Sequence, residues 1–246
     1  TNSNALGSTS GRTTINNGSA LQLEGGLSFA AEPLIISGTG LTTEGVIRNL
    51  SGNNSYTGPI TLADASRINV DAGTLTLTST ATINTTSSSY SLTLGGATNM
   101  TASGIISGSG SLTKDGASTL FLDAENTYSC STNISNGIVQ VQKSNALGSL
   151  NAGTGSSNTT VSDGAVIQIY GTSINIPEAI TVFGTGVSNR GVIRNFTGST
   201  GVNALTNTIS LNSNARINVD AGNLSLTGSS NGTSIAFGTY SLNTGV

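Results

Sequence analysis

The chain is poor in the residue types that most functional sites need. Its 246 residues include no His, no Trp, one Cys and three Pro, and only 8% of them are charged. The lack of His excludes a Ser-His-Asp triad and the commonest metal ligand. The net charge of −3, without a basic stripe or an aromatic platform, indicates no nucleic-acid partner. No apolar run approaches the roughly 20 residues that cross a bilayer, so we expect no membrane insertion of this segment.

The remaining candidates for catalysis and metal binding are weak. Glycosidases normally use two carboxyl groups about 5 to 9.5 Å apart, and here only Asp123 and Glu125 lie close in sequence. We interpret this pair as solvated surface acids, and we rank a calcium ion between Asp64 and Asp71 well below the absence of metal. Cys130 is expected to be a buried or partly buried thiol, with an intermolecular disulfide as the alternative. The sequence therefore predicts no enzyme, no cofactor and no metal.

What the chain has in abundance is Gly, Ser, Thr and Asn, with Val, Ile, Thr and Leu recurring at every second position. Disordered segments usually combine a high net charge with few β-branched residues, so this composition does not indicate disorder. Alternating β-branched residues between Gly, Asn and Asp predict short strands joined by turns. The scarcity of charge and of Cys fits an extracellular bacterial protein.

A long internal duplication organises the chain. Gly45–Asn49 recurs as Gly191–Asn195, and Arg67–Gly73 recurs as Arg216–Gly222. The offset between copies drifts along the chain, as expected when loop residues are inserted between fixed segments of a solenoid. We therefore divide residues 1–246, a single β-solenoid segment, into partial repeat 1 at about 1–143 and partial repeat 2 at about 144–246.

A short turn pattern recurs five times: an apolar residue, two polar or small residues, a Gly, and then alternation. Gly provides the positive φ of a tight corner, and the flanking Asn or Asp tolerates the turn. Hairpins of an antiparallel sandwich would explain these corners, but a right-handed parallel β-helix of about twelve coils explains the repeat length and the short strands better. The five turn glycines are Gly18, Gly73, Gly137, Gly164 and Gly222.

Charged residues recur at fixed places in the two copies. Because each pair of arginines is separated by about one coil, we expect the two members to stack in adjacent coils. The functional interpretation is a charged binding stripe, and the structural one, which we prefer, is a salt bridge that links neighbouring coils. We also expect the two copies to occupy equivalent strands. The residues concerned are Arg48, Arg67 and Asp71 in copy 1 and Arg194, Arg216 and Asp220 in copy 2.

One stretch resembles a known family. Leu112–Ser129 reads Leu-Thr-Lys-Asp-Gly, then alternating apolar residues, then Asn-Thr-Tyr, and it continues through Asn136-Gly137 to Val141. This order of motifs resembles the autotransporter-associated β-strand repeat of type V secreted passenger domains, and Leu50–Gly58 is a weaker copy. Ser129-Cys130-Ser131 departs from the Thr-Gly-Gly of that family. The resemblance implies an exported parallel β-helix, and it implies no catalytic residue.

The sequence thus predicts a non-enzymatic structural protein of the bacterial cell surface or extracellular space, such as a stalk, fibre or filament. The first alternative is an adhesin that binds a host or carbohydrate ligand through a lateral face, and the second is a polysaccharide-degrading β-helix. The expected partners are further repeats of the same chain, or identical subunits stacked head to tail, with an axial repeat of roughly 35 Å from about seven coils. Under the adhesin alternative, a surface ligand is a further partner.

Overall fold

Parallel β-strands make up the fold in the computed structural model, which describes residues 2–86, 89–149, 158–196, 201–228 and 235–245. The first strands are β1 (Thr13–Ile15), β2 (Leu21–Leu23), β3 (Ser28–Phe29), β4 (Leu34–Gly38), β5 (Ile47–Asn49), β6 (Asn53–Tyr56), β7 (Ile60–Val70), β8 (Thr74–Leu77), β9 (Ile83–Asn84), β10 (Leu92–Gly96), β11 (Met100–Ala102), β12 (Ile106–Ser107), β13 (Leu112–Lys114) and β14 (Thr119–Leu122). They are followed by β15 (Thr132–Ile134), β16 (Gly137–Val141), β17 (Asn158–Val161), β18 (Ala165–Ile169), β19 (Asn175–Ile176), β20 (Ala179–Val182), β21 (Ile193–Phe196), β22 (Val202–Leu205), β23 (Ile209–Leu211), β24 (Ala215–Ala221), β25 (Asn223–Leu226), β26 (Ile235–Ala236) and β27 (Leu242–Gly245). Two single-turn 3-10 helices, Leu41–Thr43 and Val187–Asn189, precede β5 and β21.

The strands stack into three faces that the chain visits in turn. Face 1 contains β1, β4, the first half of β7, β9 and β12, and later β19, β22 and β25. Face 2 contains β2, β5, the second half of β7, β10, β13, β15, β17, β20, β23 and β26. Face 3 contains β3, β6, β8, β11, β14, β16, β18, β21, β24 and β27. All pairings among the described strands are parallel, so the predicted parallel solenoid is confirmed and the antiparallel sandwich is excluded.

The number of turns is smaller than predicted. Face 3 has ten strands, which corresponds to about nine turns rather than twelve coils. Twelve coils in 246 residues correspond to about 20 residues in each coil. The turn from Leu92 to its partner Leu112 has this length, but other turns carry long loops, as between the partners Ile180 and Ile209. At about 4.8 Å between strands, the described part of the solenoid is roughly 43 Å long.

Inward-pointing aliphatic side chains fill the interior in columns. The alternation in the repeated strands predicts ten inward-facing residues, and seven of these are at most 3% exposed. The other three, Val219, Leu224 and Leu226, are only half-buried. They lie in β24 and β25, and β25 pairs only with β22 among the described strands. The seven buried residues are Ile68, Val70, Leu75, Leu77, Val139, Val141 and Ile217.

The two copies of the duplication are related by a non-integral number of turns. Arg48 lies in β5 on face 2, whereas its counterpart Arg194 lies in β21 on face 3. Six successive strand pairings on face 2 connect β5 to β20, and each pairing corresponds to one turn. The chain then passes from β20 on face 2 to β21 on face 3, which adds about one-third of a turn. The repeat therefore advances about six and one-third turns, or roughly 30 Å, rather than seven turns. The expectation that the two copies occupy equivalent strands is therefore wrong, because equivalent residues are rotated by one face between copies.

Candidate functional site

The predicted charged residues of copy 1 join neighbouring turns. The Nε of Arg48 donates to Oδ2 of Asp71 in the next turn, and Nδ2 of Asn69 donates to Oδ1 of the same Asp71 at 2.6 Å. Arg67 in turn donates from Nη2 to Oδ1 of Asn69 at 2.8 Å. The expected stacking of the two arginines is wrong, because Arg48 pairs in register with Asn69. We call Arg48, Arg67, Asn69 and Asp71 the Arg–Asp cluster.

Copy 2 repeats this cluster on the neighbouring face. The Nε of Arg194 donates to Oδ2 of Asp220 at 2.8 Å, and Nδ2 of Asn218 donates to Oδ1 of Asp220 at 2.7 Å. Arg216 completes the series with a 3.0 Å bond from Nη2 to Oδ1 of Asn218. The same bonds recur on two different faces. The cluster therefore depends on the local sequence of its two turns and not on the face that carries it. These side chains are occupied between turns, which does not favour a charged binding stripe.

The loop that precedes each cluster differs in charge. In copy 1, Glu44 pairs with Nη1 of Arg48. The equivalent residue in copy 2 is Arg190, which lies 3.8 Å from Oδ1 of Asp220 and has a side chain that is 62% exposed. Pairs as exposed as Arg190 contribute at most about 1 kcal/mol. The loops therefore modify the charge of the surface more than the stability of the fold.

The outer arginines also have different partners in the two copies. Arg67 reaches two turns along face 2 and forms an ion pair with Asp115. Arg216 donates instead to the backbone carbonyl of Asn189 at 3.2 Å. These outer contacts of Arg67 and Arg216 are thus not among the bonds that the two copies share.

The five predicted turn glycines all adopt positive φ, between 68° and 78°. At Gly73 and Gly137 space is a second constraint. A Cβ built on Gly73 would lie 2.1 Å from the carbonyl oxygen of Gly52, and one on Gly137 would lie 2.5 Å from that of Gly116. These corners pack backbone against backbone in consecutive turns, which only Gly permits. Gly18 and Gly164 share the φ but have open space around them.

The Asn of the Asn-Thr-Tyr motif joins neighbouring turns through its side-chain amide. Asn126 accepts the Ile106 N–H at 2.8 Å through Oδ1 and donates through Nδ2 to the Ala146 carbonyl at 2.6 Å. Asn54 plays the same part in Asn-Ser-Tyr, since its Oδ1 accepts the Leu27 N–H at 2.7 Å. Side-chain amides thereby replace ladder hydrogen bonds at this corner. In copy 2, Asn203 accepts the Ile174 N–H at 2.8 Å.

The Tyr of the same motif belongs to the core. Tyr56 and Tyr128 are at most 1% exposed. The Tyr56 hydroxyl donates to the Glu32 carbonyl, and the Tyr128 hydroxyl lies 2.6 Å from Oγ1 of Thr132. Burial raises the pKa of both phenols far above the usual value. They are structural groups, with no accessible proton for chemistry.

Lys114, from the Leu-Thr-Lys motif, is an ammonium group inside the solenoid. It is 1% exposed and stands in register between Leu94 and Ile134. Its Nζ donates to the backbone carbonyls of Asp115 and Gly116, both at 2.7 Å, and to a third carbonyl at 3.2 Å. Burial lowers the pKa of Lys114 to about 8, with Asp115 opposing that shift and Arg67 adding to it. The Lys114 side chain therefore satisfies backbone carbonyls of the corner, and it is not placed as a nucleophile.

Two glutamates at equivalent corners are buried. Glu32 is 4% exposed, and its Oε1 accepts the Thr13 hydroxyl at 2.8 Å. Glu178 is 1% exposed, and neither of its carboxylate oxygens has a hydrogen-bond partner among the described residues. Burial raises the pKa of Glu178 to about 7. The backbone N–H of Glu178 opposes this shift, and the charge of Glu125 adds to it. The burial of these glutamates could not be predicted, because a Glu between two strands is typical of an exposed position.

The weak catalytic and metal candidates have ordinary roles. Asp123 lies 3.7 Å from Nζ of Lys143, and Glu125 accepts the N–H groups of Ser144 and Asn145. Within the described ranges, no three His, Cys, Asp or Glu side chains are grouped so as to hold a metal ion. The described part of the chain also has no helix with the length and apolar character that a membrane span requires.

Cys130 is exposed, so the expected burial of its thiol is wrong. It lies in the bend that leads from the Asn-Thr-Tyr corner to β15. Outward-facing bend residues contribute no side chain to the core columns, which explains why a polar Ser flanks it on each side.

An exposed aromatic pair is the feature that sequence reasoning missed. The sequence shows the tyrosines as dispersed, but Tyr170 and Phe196 follow β-paired residues of β18 and β21 and meet on consecutive turns. Their ring centroids lie 6.2 Å apart at an interplanar angle of 32°, and they are 48% and 40% exposed. Val202, which is 50% exposed, follows on the next strand. We call Tyr170 and Phe196 the aromatic corner.

Comparison with known families agrees with the motif geometry. Residues 49–65 and 112–141 match the model of the passenger-associated-transport-repeat. Each matched segment contains one Asn-x-Tyr corner, with Asn54 and Tyr56 in the first and Asn126 and Tyr128 in the second. The chain matches no curated protein and no solved structure. Two segments of this parallel β-solenoid are thus similar to that repeat, and the chain fits an autotransporter passenger-like β-solenoid.

Proposed function

We propose that this chain is a non-enzymatic structural segment of a secreted or cell-surface protein, a stalk or fibre made of stacked solenoid turns. The observation that carries the proposal is the use of the polar residues. The Arg–Asp clusters, the Asn-x-Tyr corners and Lys114 all bond from one turn to the next. Polar groups arranged in this way support a rod, and they leave few groups for substrate chemistry.

The apolar columns support lengthening of the rod by further turns. Leu224 and Leu226 are half-buried in the last described turns, whereas their counterparts Leu75 and Leu77 are at most 1% exposed. A further repeat, or an identical subunit stacked head to tail, would cover these side chains and pair the open edge of β27. Such a contact does not close on itself and gives filaments.

Stacking can be tested on the terminal strand by negative-stain electron microscopy and light scattering of the concentrated 246-residue chain. We expect rods that lengthen with concentration. Leu242→Lys should stop the lengthening, because Leu242 packs against the core. Asn243→Lys, a change to an exposed residue of the same strand, should leave it intact. Monodisperse single rods at every concentration, or equal behaviour of the two variants, would overturn the stacking of subunits.

Recognition through a lateral face is the second candidate function, and the aromatic corner is the observation that favours it. A rod that displays Tyr170 and Phe196 on its flank would both span a distance and hold a ligand. Because the repeat rotates by one face, equivalent positions of successive repeats point in different directions around the axis.

A further inference from the structure

We propose that the segment Ser3–Ser8 is a docking site for a solenoid turn that carries a Glu-Asn-x-Tyr corner. The same six residues recur as Ser144–Ser149, and there such a corner is bound to them. We call Ser3–Ser8 the first hexapeptide turn and Ser144–Ser149 the second hexapeptide turn. This inference rests on the proposed rod, and it specifies the partner that extends the rod at one end.

The two hexapeptide turns have the same backbone conformation. In the first, the Gly7 N–H donates to the Asn4 carbonyl at 3.0 Å, and in the second the Gly148 N–H donates to the Asn145 carbonyl at 3.0 Å. The φ angles of the two glycines are 96° and 104°. The first turn therefore already has the conformation of the bound one, and a preorganised site of this kind loses little entropy on binding.

Side chains of the preceding solenoid turn hold the second hexapeptide turn. Asn126 donates through Nδ2 to the Ala146 carbonyl at 2.6 Å, and the Thr132 hydroxyl donates to the Leu147 carbonyl at 3.0 Å. The carboxylate of Glu125 accepts the first two N–H groups of the hexapeptide turn at 3.3 and 2.8 Å. The corner thus recognises the backbone of the hexapeptide turn.

Tyr128 covers the glycine of the second hexapeptide turn. Its carbonyl accepts the Ser149 N–H at 3.0 Å. A Cβ built on Gly148 would lie 2.7 Å from this carbonyl oxygen and 2.9 Å from Cε2 of the tyrosine ring, so only Gly fits beneath it. With these contacts in place, Ala146 and Leu147 are at most 1% exposed.

The first hexapeptide turn is open to solvent. Ala5 is exposed and Leu6 is half-buried. A Cβ built on Gly7 would have no other atom within 4 Å, and no described residue donates to the Ala5 or Leu6 carbonyl through its backbone N–H. The same sequence in the same conformation therefore presents the surface that the Glu-Asn-x-Tyr corner covers in the second turn.

The partner that fits this surface is a turn of the Glu125–Thr132 type from a further repeat. The chain has two Asn-x-Tyr corners, and the carbonyls of Tyr56 and Tyr128 in them already accept N–H groups of the following turns at 3.0 Å. The last described strand, β27, follows Gly238–Tyr240, which has no Asn before its Tyr. An identical subunit stacked head to tail would pair strand edges, but it would leave the hexapeptide contacts unmade.

The experiment uses a donor chain in which a second copy of residues 97–143 continues the sequence after Val246. Leu242 pairs with the second Arg–Asp cluster strand as Leu92 pairs with the first, so the added residues prolong the solenoid and end it on an open Glu-Asn-Thr-Tyr turn. Ala5→Lys in the donor blocks its own hexapeptide turn. Surface plasmon resonance measures how the unmodified 246-residue chain binds to the immobilised donor. Its Kd should be about tenfold lower or more than with a donor that lacks the added residues, because several hydrogen bonds are gained.

Two variants of the binding chain locate the contact. Ala5→Lys should remove the gain in affinity, whereas Thr14→Lys, at an exposed position of β1, should keep it. Equal affinity for the donors with and without the added residues, or equal effects of the two variants, would overturn the proposal. If rods of the unmodified chain still lengthen with concentration in that case, the structural function stands and only the corner as partner is excluded.

A second measurement decides the matter where the donor does not fold. Residues 97–143 are joined directly before Ser3 of the full chain, which reproduces the link from Lys143 to Ser144. Hydrogen exchange at the Ser8 amide should then be about tenfold slower or more than in the unmodified chain, because the equivalent Ser149 amide bonds to the Tyr128 carbonyl. Exchange at Ser8 that stays as fast as in the unmodified chain would overturn the proposal.

Discussion

The side chain of Arg194 is held by Asp220 of the following turn through a 2.8 Å hydrogen bond from Nε to Oδ2. Its side chain is 9% exposed, whereas the equivalent Arg48 is 22% exposed and has Glu44 as a second acidic partner. The two copies of the cluster thus share their bonds but differ in solvation. This difference predicts different costs for the same substitution.

Asp220→Ala should cost more stability than Asp71→Ala. Removing Asp220 leaves a nearly buried guanidinium without its carboxylate, and we expect a loss of about 2–4 kcal/mol in the free energy of unfolding. Removing Asp71 should cost about 1 kcal/mol, because Arg48 is better solvated and keeps Glu44. Urea unfolding followed by far-UV circular dichroism measures both. Asp123→Ala, in a 3.7 Å pair of exposed side chains, is the control and should be close to neutral. A cost at Asp220 no greater than this control contradicts the argument.

The corner glycines allow backbone conformation and space to be separated. Gly73 and Gly164 have φ of 73° and 77°, but only Gly73 would place a Cβ against a backbone oxygen, at 2.1 Å. Gly164→Ala should therefore cost about 1–2 kcal/mol for the left-handed conformation alone. Gly73→Ala must also separate two stacked turns, and we expect a loss of several kcal/mol or failure to fold. Thermal melting of the two variants decides the matter, and equal melting points would show that the corners do not pack as described.

The turn glycines and most core residues could be predicted because each depends on local pattern. A Gly after two polar residues marks a corner, and alternation decides which side chains of β8 or β16 point inward. The number of turns could not be predicted, because loop insertions change the length of a turn without changing the strand pattern. The rotation between copies was hidden for the same reason. Assigning Arg48 to face 2 and Arg194 to face 3 requires the register of every intervening turn.

The aromatic corner and the buried glutamate were beyond sequence reasoning for a different reason. Tyr170 and Phe196 are adjacent only through the pairing of β18 with β21. Glu178 is buried because neighbouring turns enclose its corner, and a single acidic residue beside Pro177 carries no sign of that. Both features arise from stacking between turns, which local patterns do not encode.

The Asn126 amide should be essential to the corner that it bridges. Asn126→Ala removes the acceptor of the Ile106 N–H and the donor to the Ala146 carbonyl, both of which are buried. Each unpaired backbone group costs about 1–3 kcal/mol, so we expect a loss of roughly 2–5 kcal/mol in the free energy of unfolding. Asn133→Ala, in the outward position of β15, is the matched control and should change stability by less than about 0.5 kcal/mol. Hydrogen exchange at the Ile106 amide should accelerate in the first variant only; unchanged exchange there would contradict the bridging role.

Glu178 should make the solenoid less stable as the pH rises through weakly acidic values. Its pKa is about 7 in the fold, above the usual carboxyl pKa of 4.5 that applies to the unfolded chain. Below pH 4.5 both states hold the proton, and between pH 4.5 and 7 only the folded state does. The unfolded state therefore binds fewer protons in this window, and stability falls as the pH increases. The shift corresponds to a loss on the order of 3 kcal/mol, complete above pH 7. Glu178→Gln should unfold with a weaker dependence on pH and exceed the stability of the unmodified chain at pH 8, whereas Glu24→Gln, at an exposed position, should retain the original dependence. Urea midpoints between pH 4 and 8 measure this, and parallel curves for Glu178→Gln and the unmodified chain would show that the carboxyl finds a partner or water in the folded state.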